Sequence, residues 1–267
     1  MMTMDNNDKL KVLFCGARWL GIECLKELMK YKKDAEIIGA IIPRKNEKVW
    51  WDDIIDENEV RKFRIKIMSW EKVEYLKKID LVFSVLHGPI FRQSFIRRVK
   101  YGIINLHPAP LPYYRGCNGN AHAIINREKK FGTSLHYVDE GIDTGSIIET
   151  YWIKINTDDT GKSLYDRTHK LASKLFRDKL PIILKEAKKG KKLPSIPQNN
   201  RLTRYYPRTS LSDKEANMLW PKRRIYDFTR ALQFPPFEPA FFKYKGKKIH
   251  LFAQKGQLVL KYNINQD

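Results

Sequence analysis

The sequence predicts an α/β protein, a parallel-sheet domain followed by a small α+β appendage. Three observations carry that expectation. Short apolar runs alternate with segments of helical spacing through the N-terminal part of the chain. The run "DLVFSVLHG" (80–88) is apolar almost throughout, as a strand covered on both faces requires. A polar, proline-rich stretch at 191–210 separates a long amphipathic segment from a tail with hairpin-like patterning. Strands alternating with helices build parallel sheets with right-handed crossovers.

The elements follow in order. "KLKVLFCGA" (9–17) is a β-branched apolar run ending in a glycine turn, a buried first strand. "GIECLKELMKY" (21–31) spaces Ile22, Leu25, Leu28 and Met29 as one helix face. "AEIIGAII" (35–42) is a second strand stopped by Pro43, and "RKFRIKIM" (61–68) a short third. "DLVFSVLHG" is the fourth, "FIRRVKYG" (95–102) a short helix and "GIINLH" (102–107) the fifth strand. Residues 132–155 read as two strands around an acidic glycine turn. Residues 160–190 read as a long helix, interrupted before Pro181. The tail holds a helix at "RIYDFTRAL" (224–232) and a hairpin at "KYKGKKIHLF" (243–252). The domain boundary is drawn in the proline-rich stretch, giving a catalytic domain at 1–195 and a short C-terminal subdomain at 196–267.

Composition narrows the class. Hydrophobic residues at 42% allow a sizeable core. No stretch approaches the roughly 18–20 apolar residues of a membrane span. The N-terminus "MMTMDNNDKL" is polar and acidic, unlike a signal peptide. The three cysteines, Cys15, Cys24 and Cys117, have no paired-motif spacing. A reduced, cytoplasmic protein with no membrane role is expected. The 51 Lys+Arg against 30 Asp+Glu give a net charge of +21. Such an excess suits polyanionic partners, nucleic acid first. It is spread along the chain, with denser patches at 185–192, 222–224 and 243–248, and that pattern favours a lysine-rich surface.

Several motifs fall away. "FCGARWLG" has Gly16 and Gly21 but not the G-x-G-x-x-G of a dinucleotide turn, so it reads as the strand-to-helix turn of a Rossmann-like sheet. "TGKS" (160–163) resembles the tail of a phosphate loop, but Asn156 stands where its upstream glycine belongs; Asp158, Asp159 or Thr160 is read as a helix N-cap. The six histidines include no H-x-x-x-H or H-E-x-x-H, so no metal is expected. Cys117, after Arg115-Gly116, reads as a small loop residue rather than a nucleophile.

Asn105, His107 and Asp143 remain. The first two are spaced by two at the carboxyl end of a predicted strand, so both face one way. Open α/β sheets bind ligands at that end. Asp143 lies in the turn "DEGIDTG" and can return to the same edge. An amide can donate to a developing oxyanion, an imidazole can move protons near neutral pH, and a carboxylate can orient that imidazole. A capping Asn, a satisfied core His and a turn Asp fit the spacing equally well.

"INLHPAPLPYYRG" (104–116) and "GTSLHYVDEGIDTG" (132–145) together resemble the core of the folate-dependent formyltransferases: N-x-H, a proline turn ending in R-G, then an Asp in G-[IL]-D-x-G. The resemblance covers roughly residues 9–190 and falls most closely on the nucleotide-sugar N-formyltransferases. It implies that Asn105, His107 and Asp143 are catalytic and that the co-substrate is 10-formyltetrahydrofolate. "DLVFSVLHGPIF" resembles the strand and loop lining the folate site, which implies cofactor roles for Leu86, Gly88, Pro89 and Ile90. The same is implied for Ala109, Pro110, Leu111 and Pro112 of the proline turn, and for Asp139 and Glu140. Arg115, Gly116, Cys117, Asn118 and His136 are implied to meet the acceptor. That acceptor is expected to be a nucleotide-linked amino sugar such as GDP-perosamine or dTDP-4-amino-4,6-dideoxyglucose, formylated for lipopolysaccharide O-antigen synthesis by a homodimer. "FPPFEPA" (234–240) and "RGCNGNAHAIIN" (115–126) resemble the sugar branch. The alternative is a shortened methionyl-tRNA formyltransferase, since the tail is too short for that family's full C-terminal barrel. A catalytically silent RNA-binding protein on the same fold is a third reading, opposed by the intact Asn105, His107 and Asp143.

Overall fold

A computed structural model describes residues 9–43 and 57–262; the acidic N-terminus noted above lies outside them. In chain order, β1 (Leu10–Gly16) leads through α1 (Arg18–Leu28) to β2 (Ala35–Ile41). Then come α2 (Glu57–Lys62), α3 (Trp70–Val73), β3 (Leu81–Val85), α4 (Gln93–Arg98) and β4 (Ile103–His107). A two-residue β5 (Arg115–Gly116), α5 (Gly119–Ile125), β6 (Lys130–Tyr137), β7 (Ile147–Lys154) and the 28-residue α6 (Gly161–Lys188) follow. The remainder holds β8 (Tyr205–Tyr206), α7 (Lys222–Leu232), β9 (Phe241–Tyr244), β10 (Lys247–Gln254) and β11 (Gln257–Tyr262).

Six strands form one sheet in the order β2-β1-β3-β4-β6-β7. β2, β1, β3 and β4 run parallel, and β6 runs antiparallel to β4, so the sheet is parallel-dominated rather than wholly parallel. The period of two explains the burial. Val12, Phe14, Leu81, Phe83, Ile104 and Leu106 enter one apolar layer, while Leu13, Cys15, Val82 and Ile103 enter the other. The first layer is completed by Leu20, Leu25 and Leu28 of α1 and by Leu175, Phe176 and Leu180 of α6. Phe83 and Phe176 meet edge to face at 5.2 Å. Each such side chain contributes about 1.5–3 kcal/mol when fully buried. Asn105 and His107 share the parity of Ile103, so they stand where the second layer reaches the carboxyl end of β4.

Two local expectations are corrected. Residues 61–68 do not form a third strand: α2 takes the first two, and only Ile67 bridges to Ala40. Glu57 and Arg61 pair one helical turn apart, and Val60 is buried with helical rather than alternating spacing. The long helix is not interrupted at Pro181. Proline inside a helix costs about 3 kcal/mol. Leu180, Ile183 and Leu184, each 2% exposed or less, outweigh that cost by core burial.

By contacts the chain divides into two compact units, each discontinuous in sequence. The first comprises residues 1–108, 133–151 and 172–199; the second comprises 109–132, 152–171 and 200–267. A single cut after residue 195 does not describe this division, because Ala109, Phe131, Ile155 and Leu164 share an apolar cluster with Ala231. Within the second unit, β9, β10 and β11 make a three-stranded antiparallel sheet, as the tail's hairpin pattern predicts. Buried Asp227 accepts from Arg127, Arg223 and Arg230, and Arg230 donates onward to the Asp159 carbonyl at 2.7 Å. Thr160 caps α6 through the Ser163 N–H at 3.1 Å, and its own N–H donates to Ser163 Oγ at 3.0 Å, a reciprocal capping box.

Candidate active site

The first unit brings Asn105, His107, His136 and Asp143 together. Asn105 and His136 are direct cross-strand partners of β4 and β6, and His107 pairs with Ser134. The His136 Nδ1 lies 2.7 Å from the carbonyl oxygen of Tyr137. A carbonyl only accepts, so Nδ1 carries the proton and Nε2 presents a lone pair. That lone pair accepts from the Asn105 amide nitrogen at 3.0 Å. The amide is therefore oriented by a neutral imidazole and keeps a second N–H for another acceptor. Burial pushes His136 down to about 4, in keeping with this tautomer. Sequence reasoning assigned His136 to the acceptor; the structure makes it 2% exposed and engages both ring nitrogens inside the protein.

Asp143 stands beside both rings. One carboxylate oxygen is 3.7 Å from His107 Nδ1, the other 3.7 Å from His136 Nε2. The His107 carbonyl accepts from the buried Thr133 hydroxyl at 2.9 Å, which fixes the end of β4. Asp143 itself sits at φ 54 in the loop joining β6 to β7. Two residues on, a Cβ on Gly145 would come 1.9 Å from the Tyr137 carbonyl oxygen, so only glycine lets the loop close there. Asp139 turns the same loop by accepting from the Gly141 N–H and the Thr144 hydroxyl. Glu140 beside it is exposed.

Leu86, Gly88, Pro89 and Ile90 follow the carboxyl end of β3 in the same unit. Leu86 turns the chain at φ 55, and Gly88, Pro89 and Ile90 on the way to α4 are exposed, Ile90 at 69%. His87 packs on Trp70 and Phe91 with ring centroids 5.5 and 5.4 Å away. Its Nε2 is buried with no hydrogen-bond partner among the described residues, and burial lowers its pKa to about 4.

Ala109, Pro110, Leu111, Pro112, Arg115, Gly116, Cys117 and Asn118 belong to the second unit. Arg115 and Cys117 donate their backbone N–H groups to the Arg204 and Tyr206 carbonyls, tying β5 to β8. Gly116 is at φ 87, and a Cβ there would lie 2.2 Å from the Tyr206 carbonyl oxygen. The buried Arg115 guanidinium donates to the Asn200 side-chain oxygen at 3.2 Å. Asn118 takes αL geometry at the start of α5 and donates to the Arg208 carbonyl at 3.3 Å.

Comparison with known proteins gives this geometry its family. Residues 58–180 match the formyl transferase family. The bifunctional polymyxin resistance protein ArnA of Wigglesworthia glossinidia brevipalpis is 30% identical over 243 residues, 89% of this chain and 36% of that protein. The GDP-perosamine N-formyltransferase of Brucella melitensis is 34% identical over 168 residues, 63% of this chain and 62% of that protein. Residues 58–180 thus carry a formyl transferase domain, and Asn105, His107, His136 and Asp143 all lie inside it. The chain spans less than two thirds of the length of these curated relatives. Methionyl-tRNA formyltransferases match as well, at 32% identity and below. In fold, the chain resembles the N-formyltransferase of Helicobacter canadensis, solved with folinic acid and dTDP-3-aminofucose. The TM-score is 0.73 at 24% identity, covering 91% of this chain and 88% of that one. Among the described residues, no group of three or more His, Cys, Asp or Glu could hold a metal ion, and no helix is long and apolar enough to cross a membrane.

Sequence reasoning on this chain missed two features. The Asn105–His136 pair needs the β4–β6 register, which no local motif states. Gln198, read as part of a linker, donates to the Asp143 and Gly145 carbonyls at 2.8 and 2.7 Å. Its only signal is a polar residue among prolines.

The buried imidazole also makes a stability prediction. His136 binds its proton near pH 4 when folded and near 6.5 when unfolded, so the unfolded chain binds more protons between those values. Stability is full above about pH 6.5 and falls as pH drops toward 4, by on the order of 3 kcal/mol for this group. Urea midpoints measured from pH 7.5 to 4 should show the decline, and a His136→Gln variant should show less of it. Equal slopes in the two proteins would refute the neutral assignment.

Proposed function

We propose that the chain transfers the formyl group of 10-formyltetrahydrofolate to the amine of a nucleotide-linked amino sugar. The observation that carries the reading is the Asn105 amide, locked by neutral His136 beside the His107–Asp143 pair. The folate would supply the formyl carbon that the amine attacks. The second N–H of Asn105 donates to the charge developing on the formyl oxygen. His107 moves the proton between the incoming amine and the leaving nitrogen, and Asp143 steadies its charged form.

The loop at 86–90 fits a folate. Exposed Ile90 offers apolar surface to the face of a flat heterocycle. Acceptor class is supported by the Brucella relative, named for GDP-perosamine, and by the Helicobacter structure, which holds dTDP-3-aminofucose. Our reading includes a homodimer working in the cytoplasm and serving surface polysaccharide synthesis. A second reading, formylation of methionyl-tRNA, is favoured by the +21 charge and by the relatives that bear that name.

The deciding experiment incubates the protein and 10-formyltetrahydrofolate with a panel of GDP- and dTDP-linked 3-amino and 4-amino sugars and with charged initiator tRNA. Formylation of a 4-amino-4,6-dideoxy sugar, with the tRNA a poor acceptor, is expected. Efficient formylation of the tRNA with no turnover on any sugar overturns the acceptor and leaves the chemistry standing.

A further inference from the structure

Asp143 is held by a segment the sequence presents as a linker. Ile196 exchanges two backbone hydrogen bonds of 2.8 Å with Ile147, at the point where the Asp143 loop enters β7. The Ile196 side chain is 74% exposed, so backbone pairing rather than burial fixes this register. Two residues later, Gln198 Nε2 lies 2.8 Å from the Asp143 carbonyl oxygen and 2.7 Å from that of Gly145. Both oxygens only accept, so the amide nitrogen must be the atom between them. One side chain thus spends both its N–H groups on the two carbonyls that flank Thr144.

We propose that Gln198 is a positioning residue for Asp143: a latch that keeps the catalytic carboxylate facing His107. The loop needs such a clamp because Asp143 occupies φ 54, a region few non-glycine residues adopt. The carboxylate's place at 3.7 Å from the imidazole follows directly from that backbone. Gln198 touches the backbone of the loop, so its effect on rate passes through Asp143. Misplacement of a reacting group by about 1 Å can lower a rate about 100-fold.

The kinetic part of this inference rests on the proposed formyl transfer; the structural part does not. The test compares Gln198→Leu, Gln198→Glu and Gln198→Lys with the wild-type chain. Leucine removes the donors, glutamate faces two carbonyls with acceptors, and lysine restores a donor. Leu and Glu are expected to lower kcat by about 100-fold with KM for both substrates nearly unchanged, and Lys to recover most of the loss. Hydrogen exchange of the 138–147 peptide should be at least about 10-fold faster in the Leu and Glu variants and unchanged elsewhere, marking local opening. Exchange equal to wild type, or a raised KM at unchanged kcat, overturns the latch. Should the wild-type chain formylate no amine at all, the functional reading fails, and exchange at 138–147 alone decides for or against the latch.

Discussion

Replacing His107 by alanine is expected to lower formyl transfer by about 10²- to 10⁴-fold while folate still binds. That is the usual cost of removing one positioned acid–base or oxyanion group. Asp143→Ala should fall in the same range, because it strips the carboxylate that lies 3.7 Å from His107 Nδ1. Asn105→Ala removes the proposed donor to the formyl oxygen and also deprives the buried His136 Nε2 of its 3.0 Å hydrogen bond. An unsatisfied buried group costs about 1–3 kcal/mol, so this variant must be assayed well below its unfolding temperature. Steady-state rates, paired with folate titrations by intrinsic fluorescence, separate chemistry from binding. Near-wild-type turnover in all three variants would move the chemistry elsewhere.

Salt provides the second large effect, and it separates the acceptors without relying on rates alone. Binding that neutralises 6–10 phosphates weakens by roughly 10³- to 10⁵-fold between 50 and 200 mM salt. A nucleotide sugar carries a diphosphate only. The apparent affinity for a sugar acceptor should therefore change little over the same range, whereas a tRNA acceptor would show the steep loss. A steep loss measured with the turned-over acceptor would assign the +21 charge to nucleic acid. A shallow one leaves the lysines as a solvated surface.

Much of this was legible in the sequence. β1, β3 and β4 were readable because each is a mostly apolar run whose alternate residues enter two buried layers. For Asn105, His107 and Asp143, spacing gave only a shared face for two and a glycine turn for the third; the resemblance of their motifs to the formyltransferase pattern is what marks the three as a set. What stayed hidden depends on contacts distant in sequence. Ile67 looks like a strand residue but finds only one bridge, at Ala40. Pro181 looks like a break until Leu180, Ile183 and Leu184 are seen in the core. No local motif marks His136 as the partner of Asn105, a pairing that depends on the β4–β6 register. Gln198 acts 55 and 53 residues away from the carbonyls it holds, and no periodicity reports that.

The three thiols are graded by burial in a way that makes the native chain chemically addressable. Cys15 and Cys24 are sealed in the sheet and helix layers, and burial pushes both thiols up, away from the reactive thiolate. Cys117 is half-buried in the loop after Arg115 and Gly116. A maleimide dye should couple once per folded molecule, at Cys117, and three times after denaturation. The single label would sit in the loop assigned to the acceptor, so its emission should report acceptor binding without any engineered cysteine.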